Sequence, residues 1–404
     1  MPINEALAAS PDLVGRRSSR PPPPLPLTLI TGFLGAGKTT LLNGLLRDPR
    51  LADTLVVINE FGEIGLDHLL VERSGDGMLL MNSGCLCCSI RGDLITTLED
   101  ALRRRDNGRI APFERVVIET TGLADPAPIL HTIMTHPYLM LRFRLDGVVT
   151  LVDAVNGAAT LDAHEEAVKQ AAVADRIVLT KTDLSGACDQ NGLRRRLADL
   201  NPGAGVFDAA KGEATAAVLL DCGLYDPNRK SLDVRRWLNA EAFAANAHHD
   251  HHHNHGHAAS GNDHGHDHAA NQSDVNRHDE RIRAFCLRRQ PPIDPAAFNI
   301  FLELLRAAHG PGLLRVKGVI ALADDPLRPV VIHGVQHVFH PPVRLEAWPD
   351  EDQDTRIVFI LRDMSPDFVE RLWNACSGAP GIDDADGAAL AASPLTPSRR
   401  GLLA

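Results

Sequence analysis

Across the first half of the chain, short apolar runs alternate with stretches in which apolar residues recur every three or four positions. The runs fall at residues 27–30, 54–58, 78–81, 115–118, 147–152, 176–179 and 205–207. Several are apolar at successive positions, the pattern of a strand covered by helices on both faces. Residues 93–105 and 164–174 carry the helical period between them. The alternation predicts an α/β domain with a mostly parallel central sheet. We place this domain at residues 27–245, its regular pattern ending near Pro227.

Residues 246–280 break the pattern, because His, Asp, Asn, Gly and Ala dominate there, with HHDHHHNHGH at the centre. Such a segment has no apolar surface to fold around and is expected to be a disordered linker. Beyond it, strands are expected at 281–287, 313–322, 329–339 and 356–361, with helices at 298–308 and 366–375. Phe298, Phe301, Leu302 and Leu305 share one face of the first of these helices. This second pattern predicts a smaller α+β domain over residues 281–378. The flanks, residues 1–26 and 379–404, read as loose tails.

Composition narrows the function classes. The chain has 404 residues, enough for two or three domains, and is 44% hydrophobic but only 4% aromatic, so its cores must be mostly aliphatic. A net charge of −11 argues against nucleic acid as a partner. No apolar run is long enough to span a bilayer. The N-terminal segment lacks the order of a secretion signal, and a cytoplasmic protein is expected. The cysteines number 7, an odd count, and three cluster in one short segment, which points to metal or redox chemistry instead of a disulfide framework.

The strongest motif is GFLGAGKTT, from Gly32 to Thr40, between a strand pattern and a helix pattern. It satisfies G-x-x-x-x-G-K-[ST]. Gly32, Gly35 and Gly37 let the backbone curl so that its N–H groups face one phosphate chain, with Ala36 and Thr40 completing the cradle. Lys38 is expected to reach the β- and γ-phosphates, and the Thr39 hydroxyl to meet Mg²⁺.

Three further segments follow strand patterns. Thr180-Lys181-Thr182-Asp183 has the x-K-x-D form with which many GTPases read guanine. The Asp183 carboxylate is suited to accept from two guanine donors, and the Lys181 stem to cover the base; Thr180 stands where the common motif begins with Asn. Glu119-Thr120-Thr121-Gly122 places an acid near the magnesium shell and offers the Gly122 N–H to the γ-phosphate. The continuation, residues 123–128, is expected to move with it. Asn59-Glu60-Phe61-Gly62-Glu63 adds acids that suit water, magnesium or another metal. Glu60 and Glu119 are therefore candidate catalytic groups beside Lys38.

Gly84-Cys85-Leu86-Cys87-Cys88 brings soft ligands. Thiolates from Cys85, Cys87 and Cys88 suit Zn²⁺, and a fourth position remains for water, His, Glu60 or Glu63. An incomplete set suits an ion that is to be handed on, whereas structural zinc sites are closed. Co²⁺ accepts similar ligands. The imidazoles of the His-rich linker suit the same ions and read as a concentrating or buffering segment.

In this order, TGFLGAGKTTLLN, NEFGEIG, GCLCC, ETTGLADP and TKTD resemble the CobW family of metal-handling P-loop GTPases. That family is related to the nickel-insertion GTPases of urease and hydrogenase maturation. The resemblance covers roughly residues 27–364 and takes in LRVKG and HGVQ of the second domain. It implies a GTPase whose nucleotide state controls the binding of zinc, or of cobalt for cobalamin synthesis or metalloenzyme activation, and its delivery to a client metalloprotein. A monomer or a homodimer fits equally. A metal store or sensor, with nucleotide incidental, is the rival reading from another class.

Overall fold

The computed structural model describes residues 23–58, 79–82, 90–184, 186, 188–220 and 281–378. Strands β1 (Leu25–Gly32), β2 (Thr54–Ile58), β3 (Leu79–Asn82), β4 (Arg115–Glu119), β5 (Phe143–Asp153), β6 (Arg176–Thr180) and β7 (Gly205–Asp208) form a seven-stranded sheet in the order β3-β2-β4-β1-β5-β6-β7. Every neighbouring pair is parallel. All five residues of β2 are buried, as the unbroken apolar run requires.

Helices cover both faces. Leu94, Leu98 and Leu102 of α2 (Ile90–Asp106) and Ile129, Leu130 and Ile133 of α3 (Ala127–Thr135) pack on one apolar cluster. Helix α1 (Lys38–Leu45) contributes Leu42 and Leu45 to another cluster. Helices α4 (Leu139–Arg142), α5 (Gly157–Ala163), α6 (Glu165–Ala172), α7 (Gln190–Leu200) and α8 (Ala216–Leu219) complete the domain. Residues 127 and 128, expected in a moving continuation, instead open the buried helix α3.

The second domain is antiparallel. Strands β8 (Ile282–Arg289), β9 (Leu313–Ile320), β10 (Val330–Val335), β11 (Val338–Phe339) and β13 (Thr355–Arg362) run in the order β11-β10-β9-β13-β8, and β12 (Val343–Arg344) pairs with β10. The single strand expected over residues 329–339 is in fact two, β10 and β11, folded back on each other. Gln336, at φ 52°, supplies the left-handed residue of that turn. Helix α9 (Pro295–His309) starts on Asp294, whose side chain accepts from the Ala296 and Ala297 amides at 2.8 and 3.1 Å. Helix α10 (Pro366–Ser377) ends at Gly378, φ 69°. Phe298, Phe301 and Trp373 of these helices pack on one face of the sheet.

The other face meets the first domain, so β9 is buried at all eight positions. A register shift beside Ile360 lets the consecutive residues Leu314 and Arg315 both face this seam. Leu314 and Ile360 pack on Ala172 of α6. Arg315 Nη2 donates to Asp175 Oδ1 at 2.6 Å, and Lys317 pairs with the same oxygen. Burial alone would raise the Asp175 carboxyl; Arg315 and Lys317 hold it well below the usual carboxylate range. Val335 and Val338 join the apolar cluster of the first domain, and His131 of α3 shares a 2.9 Å hydrogen bond with the Val335 carbonyl.

Candidate functional site

Parallel strands deliver their carboxyl ends to one edge of the sheet, where α/β domains bind ligands. Here β1 ends in Gly32, β4 in Glu119, β5 in Asp153 and β6 in Thr180. Glu119 is in register with both Ile30 and Ile58.

The loop after β1 has the shape that its glycines predict. Gly32, Gly35 and Gly37 have φ of 144°, 72° and 87°. A Cβ on Gly32 would come 2.5 Å from the Leu151 carbonyl oxygen, so only glycine fits there. Gly37 caps α1 with no side-chain bond to the first-turn amides, which suits an anion. Lys38 is drawn back over the loop, donating from Nζ to Gly32 O at 2.9 Å and Phe33 O at 3.2 Å. Ala36 is buried and Thr40 exposed on the first turn of α1.

Thr39 Oγ1 donates to Glu119 Oε1 at 2.8 Å. Beyond Glu119 the chain stays against the phosphate loop. Thr120 Oγ1 donates to Thr31 Oγ1 at 2.8 Å, and a Cβ on Gly122 would lie 2.6 Å from the Leu34 nitrogen. The structure thus brings Lys38, Thr39, Glu119 and Gly122 together. A hydroxyl beside a carboxylate is a hard-oxygen pair of the kind that Mg²⁺ takes, and the glycine cradle suits a phosphate chain.

The loop after β6 lies on the same edge. Thr180 Oγ1 donates to Ala36 O at 2.9 Å, fastening this segment to the phosphate loop. Lys181 has φ 58°, and its Nζ pairs with Asp153 Oδ2 at 2.7 Å. Burial would raise the Asp153 carboxyl, but Lys181 and the Val155 amide keep it below its ordinary value. Thr182 Oγ1 donates to Asp208 Oδ1 at 2.6 Å, joining the segment to the end of β7. Asp183 is exposed at the rim.

Sequence reasoning missed Asp153, Asp208 and Gln170. Asp153 carried the signal that marked Glu119, an acid closing an apolar run. Gln170 carried none, and its role is contact alone: Nε2 donates to Gly122 O at 3.1 Å and Ala124 O at 3.0 Å. Glu60, Glu63, Cys85, Cys87, Cys88 and the His-rich segment lie outside the described residues. Among the described residues, no group of three His, Cys, Asp or Glu is placed to hold a metal ion, and no helix is long and apolar enough to cross a membrane.

Comparison with known proteins agrees with this geometry. Residues 26–208 match the CobW/HypB/UreG nucleotide-binding domain, and residues 282–377 the cobalamin synthesis protein CobW C-terminal domain. The chain belongs to the CobW family of P-loop GTPases. Among CobW-family relatives, it is 33% identical to the zinc chaperone YjiA of Escherichia coli over 337 residues, 83% of this chain and 94% of that one. It is 30% identical to the zinc chaperone CobW of a Sinorhizobium species, over 84% of this chain and 94% of that one. The crystal structure of Zn(II)-bound YjiA GTPase superposes with a TM-score of 0.61 at 27% identity, covering 87% of this chain and 99% of that one.

Proposed function

We propose that this CobW-family GTPase is a metallochaperone that binds zinc through Cys85, Cys87 and Cys88 and passes it to a client metalloprotein under control of its nucleotide. The observation that carries the reading is the contact between the phosphate loop and the segment after β4. Thr39 holds Glu119 at 2.8 Å, and Gly122 packs on Leu34. A change at the γ-phosphate therefore has a mechanical route into the protein. Strand β3 ends at the same edge: Asn82, three residues ahead of Cys85 in sequence, is in register with Ile58, itself in register with Glu119.

In this reading Gly32, Gly35, Ala36, Gly37, Thr39 and Thr40 bind the phosphates, and Lys38 leaves its two carbonyls for the β- and γ-oxygens. Thr39 and Glu119 hold Mg²⁺, whose charge offsets that developing on the transferred phosphoryl group. Gly122 senses the third phosphate; Lys181 and Asp183 read guanine. Glu119 and Glu60 are the candidates for orienting water. The cysteines, with Glu63 as a fourth ligand, take zinc as cargo. The names of the zinc-chaperone relatives favour zinc over cobalt.

The test is to titrate Zn²⁺ against a competing chelator with the protein held in GTP–Mg²⁺ or in GDP. Affinities about tenfold apart are expected, within the usual range of coupling between sites. Cys87→Ala should abolish the tight binding in both states. Equal zinc affinity with either nucleotide would refute nucleotide-controlled delivery.

A further inference from the structure

Gln170 is a polar residue where α6 faces the core, and it is 1% exposed. Its amide nitrogen holds two carbonyls of the loop after β4, those of Gly122 and Ala124. Its own backbone carbonyl accepts from Thr150 Oγ1 of β5 at 2.7 Å. One residue thus joins the loop to the sheet. The orientation of the amide follows from its neighbours. A flip would set Oε1 against two carbonyl oxygens, so nitrogen must face them. Gln170 also lines a cavity of about 50 Å³ together with Phe33 and Leu34 of the phosphate loop.

The same helix is fastened to the second domain along its length. Glu165, at its start, pairs with Arg362. Ala172, at its end, packs on Leu314 and Ile360. Asp175, three residues further, is held by Arg315 and Lys317. The loop also runs directly into α3, where His131 meets the Val335 carbonyl. The loop of residues 120–126 therefore lies between two elements, each of which carries the antiparallel sheet.

We infer that Gln170 is a positioning residue that ties the γ-phosphate-sensing loop to the seam, so that the third phosphate and the docking of the C-terminal domain bias one another. This rests on the GTPase reading above and adds to it a regulatory role for the C-terminal domain. Displacing the Gly122 and Ala124 carbonyls either breaks the bonds to Gln170 or shifts α6 against β9 and β13. Linkage makes the effect reciprocal: a loosened seam must change the preference for triphosphate over diphosphate by the same factor.

The experiment uses the full chain with Mg²⁺ and either GDP or a non-hydrolysable GTP analogue. Affinities are measured by calorimetry, and hydrogen exchange is followed over β9 and β10. In the unmodified protein, exchange over these strands should differ between the two nucleotides. Gln170→Leu should keep GDP affinity within about threefold, lose about tenfold in analogue affinity relative to GDP, and erase the exchange difference. Arg362→Ala, on the seam and away from the nucleotide, should shift the same affinity ratio about threefold and decides the matter if the first variant fails to fold. A folded Gln170→Leu protein that keeps the full exchange difference would overturn the inference, as would an unaltered ratio in Arg362→Ala. Failure of the unmodified protein to bind either nucleotide would instead remove the GTPase reading, and this inference with it.

Discussion

Two of the places where this molecule buries charge, the sheet edge and the seam between the domains, hold it differently. At the sheet edge, Lys38 donates to carbonyls of its own loop, Glu119 accepts from a hydroxyl, and Asp153 pairs with the half-open Lys181. These partners are neutral or reachable from outside, so a ligand can replace them. At the seam, Asp175 is fully sealed and both of its cations come from the other domain. Asp175 is closed off from solvent, so its partners cannot be exchanged without opening the seam. The comparison separates a place built to trade contacts from a place built to keep them.

The largest effect should come from the seam. Asp175→Ala leaves Arg315 and Lys317 buried without their carboxylate and frees the Val148 amide that Asp175 Oδ2 accepts at 2.9 Å. Breaking a buried pair in this way costs about 3–5 kcal/mol. Urea unfolding should show it directly. A loss below about 1 kcal/mol would mean that the pair is no stronger than a surface one.

At the edge, the matching change is Lys38→Ala. GTP turnover should fall about 100- to 1000-fold, the scale on which one charge-stabilising group acts in a transition state. The unfolding midpoint should move far less than for Asp175→Ala, since breaking the bonds to the Gly32 and Phe33 carbonyls leaves no buried carboxylate behind. Turnover at the unmodified rate would contradict the phosphate-loop assignment.

Acid should act first at the seam. Burial, then the charges of Arg315 and Lys317, push His333 well below its usual value, and burial lowers His340 as well. In the unfolded chain both return to about 6.5. Below that pH the unfolded state takes up protons that the folded state refuses, so stability falls as pH falls. The slope is at most about 1.4 kcal/mol per pH unit for each histidine. Asp175 acts with the same sign but at lower pH: its contribution is present above the ordinary carboxylate pKa and is lost only in stronger acid, below that range. Between about pH 7 and pH 5 the two histidines therefore dominate the seam. Urea midpoints should drop over this interval and drop less in His333→Asn; identical slopes would show that His333 does not govern the effect.

How much of this was legible depended on what each residue's neighbours are. Residues 54–58 read correctly as a strand because helices cover both faces and leave an unbroken apolar run. Strand β5 begins four residues earlier than its apolar run, at Phe143. Arg144 and Asp146 hid that start, for a charge within a strand is legible only once its partner is known. Asp146 is buried between Arg115 Nη1 at 2.5 Å and Thr28 Oγ1 at 2.9 Å. The turn itself, at Gln336 and His337, carries neither glycine nor asparagine, and the one glycine of residues 329–339, Gly334, lies inside β10, so the break was not marked where it falls. At the edge, the meeting of Lys38, Thr39, Glu119 and Gly122 was legible because each lies in a short motif that directly follows a strand pattern. Gln170 acts across 48 residues of sequence, and no local pattern encodes such a contact.

The smallest change tests whether the edge is mechanically one piece. Thr180 occupies the position where the guanine-reading motif commonly has Asn, and its hydroxyl donates to Ala36 O at 2.9 Å. That bond links the loop proposed to read the base to the phosphate loop, so in that reading the two halves of the nucleotide site share one anchor. Thr180→Val keeps the shape and removes the donor, leaving a buried carbonyl short of a partner. The expected loss is about 1 kcal/mol, or about fivefold in affinity, for GTP and GDP alike. Thr180→Asn restores an amide donor and should recover most of it. Triphosphate and diphosphate must weaken together, because the anchor lies on the base side of the loop and not at the γ-phosphate. A loss confined to GTP would place Thr180 in the sensing apparatus with Gly122, and the division between base-reading and phosphate-sensing contacts along this edge would have to be redrawn.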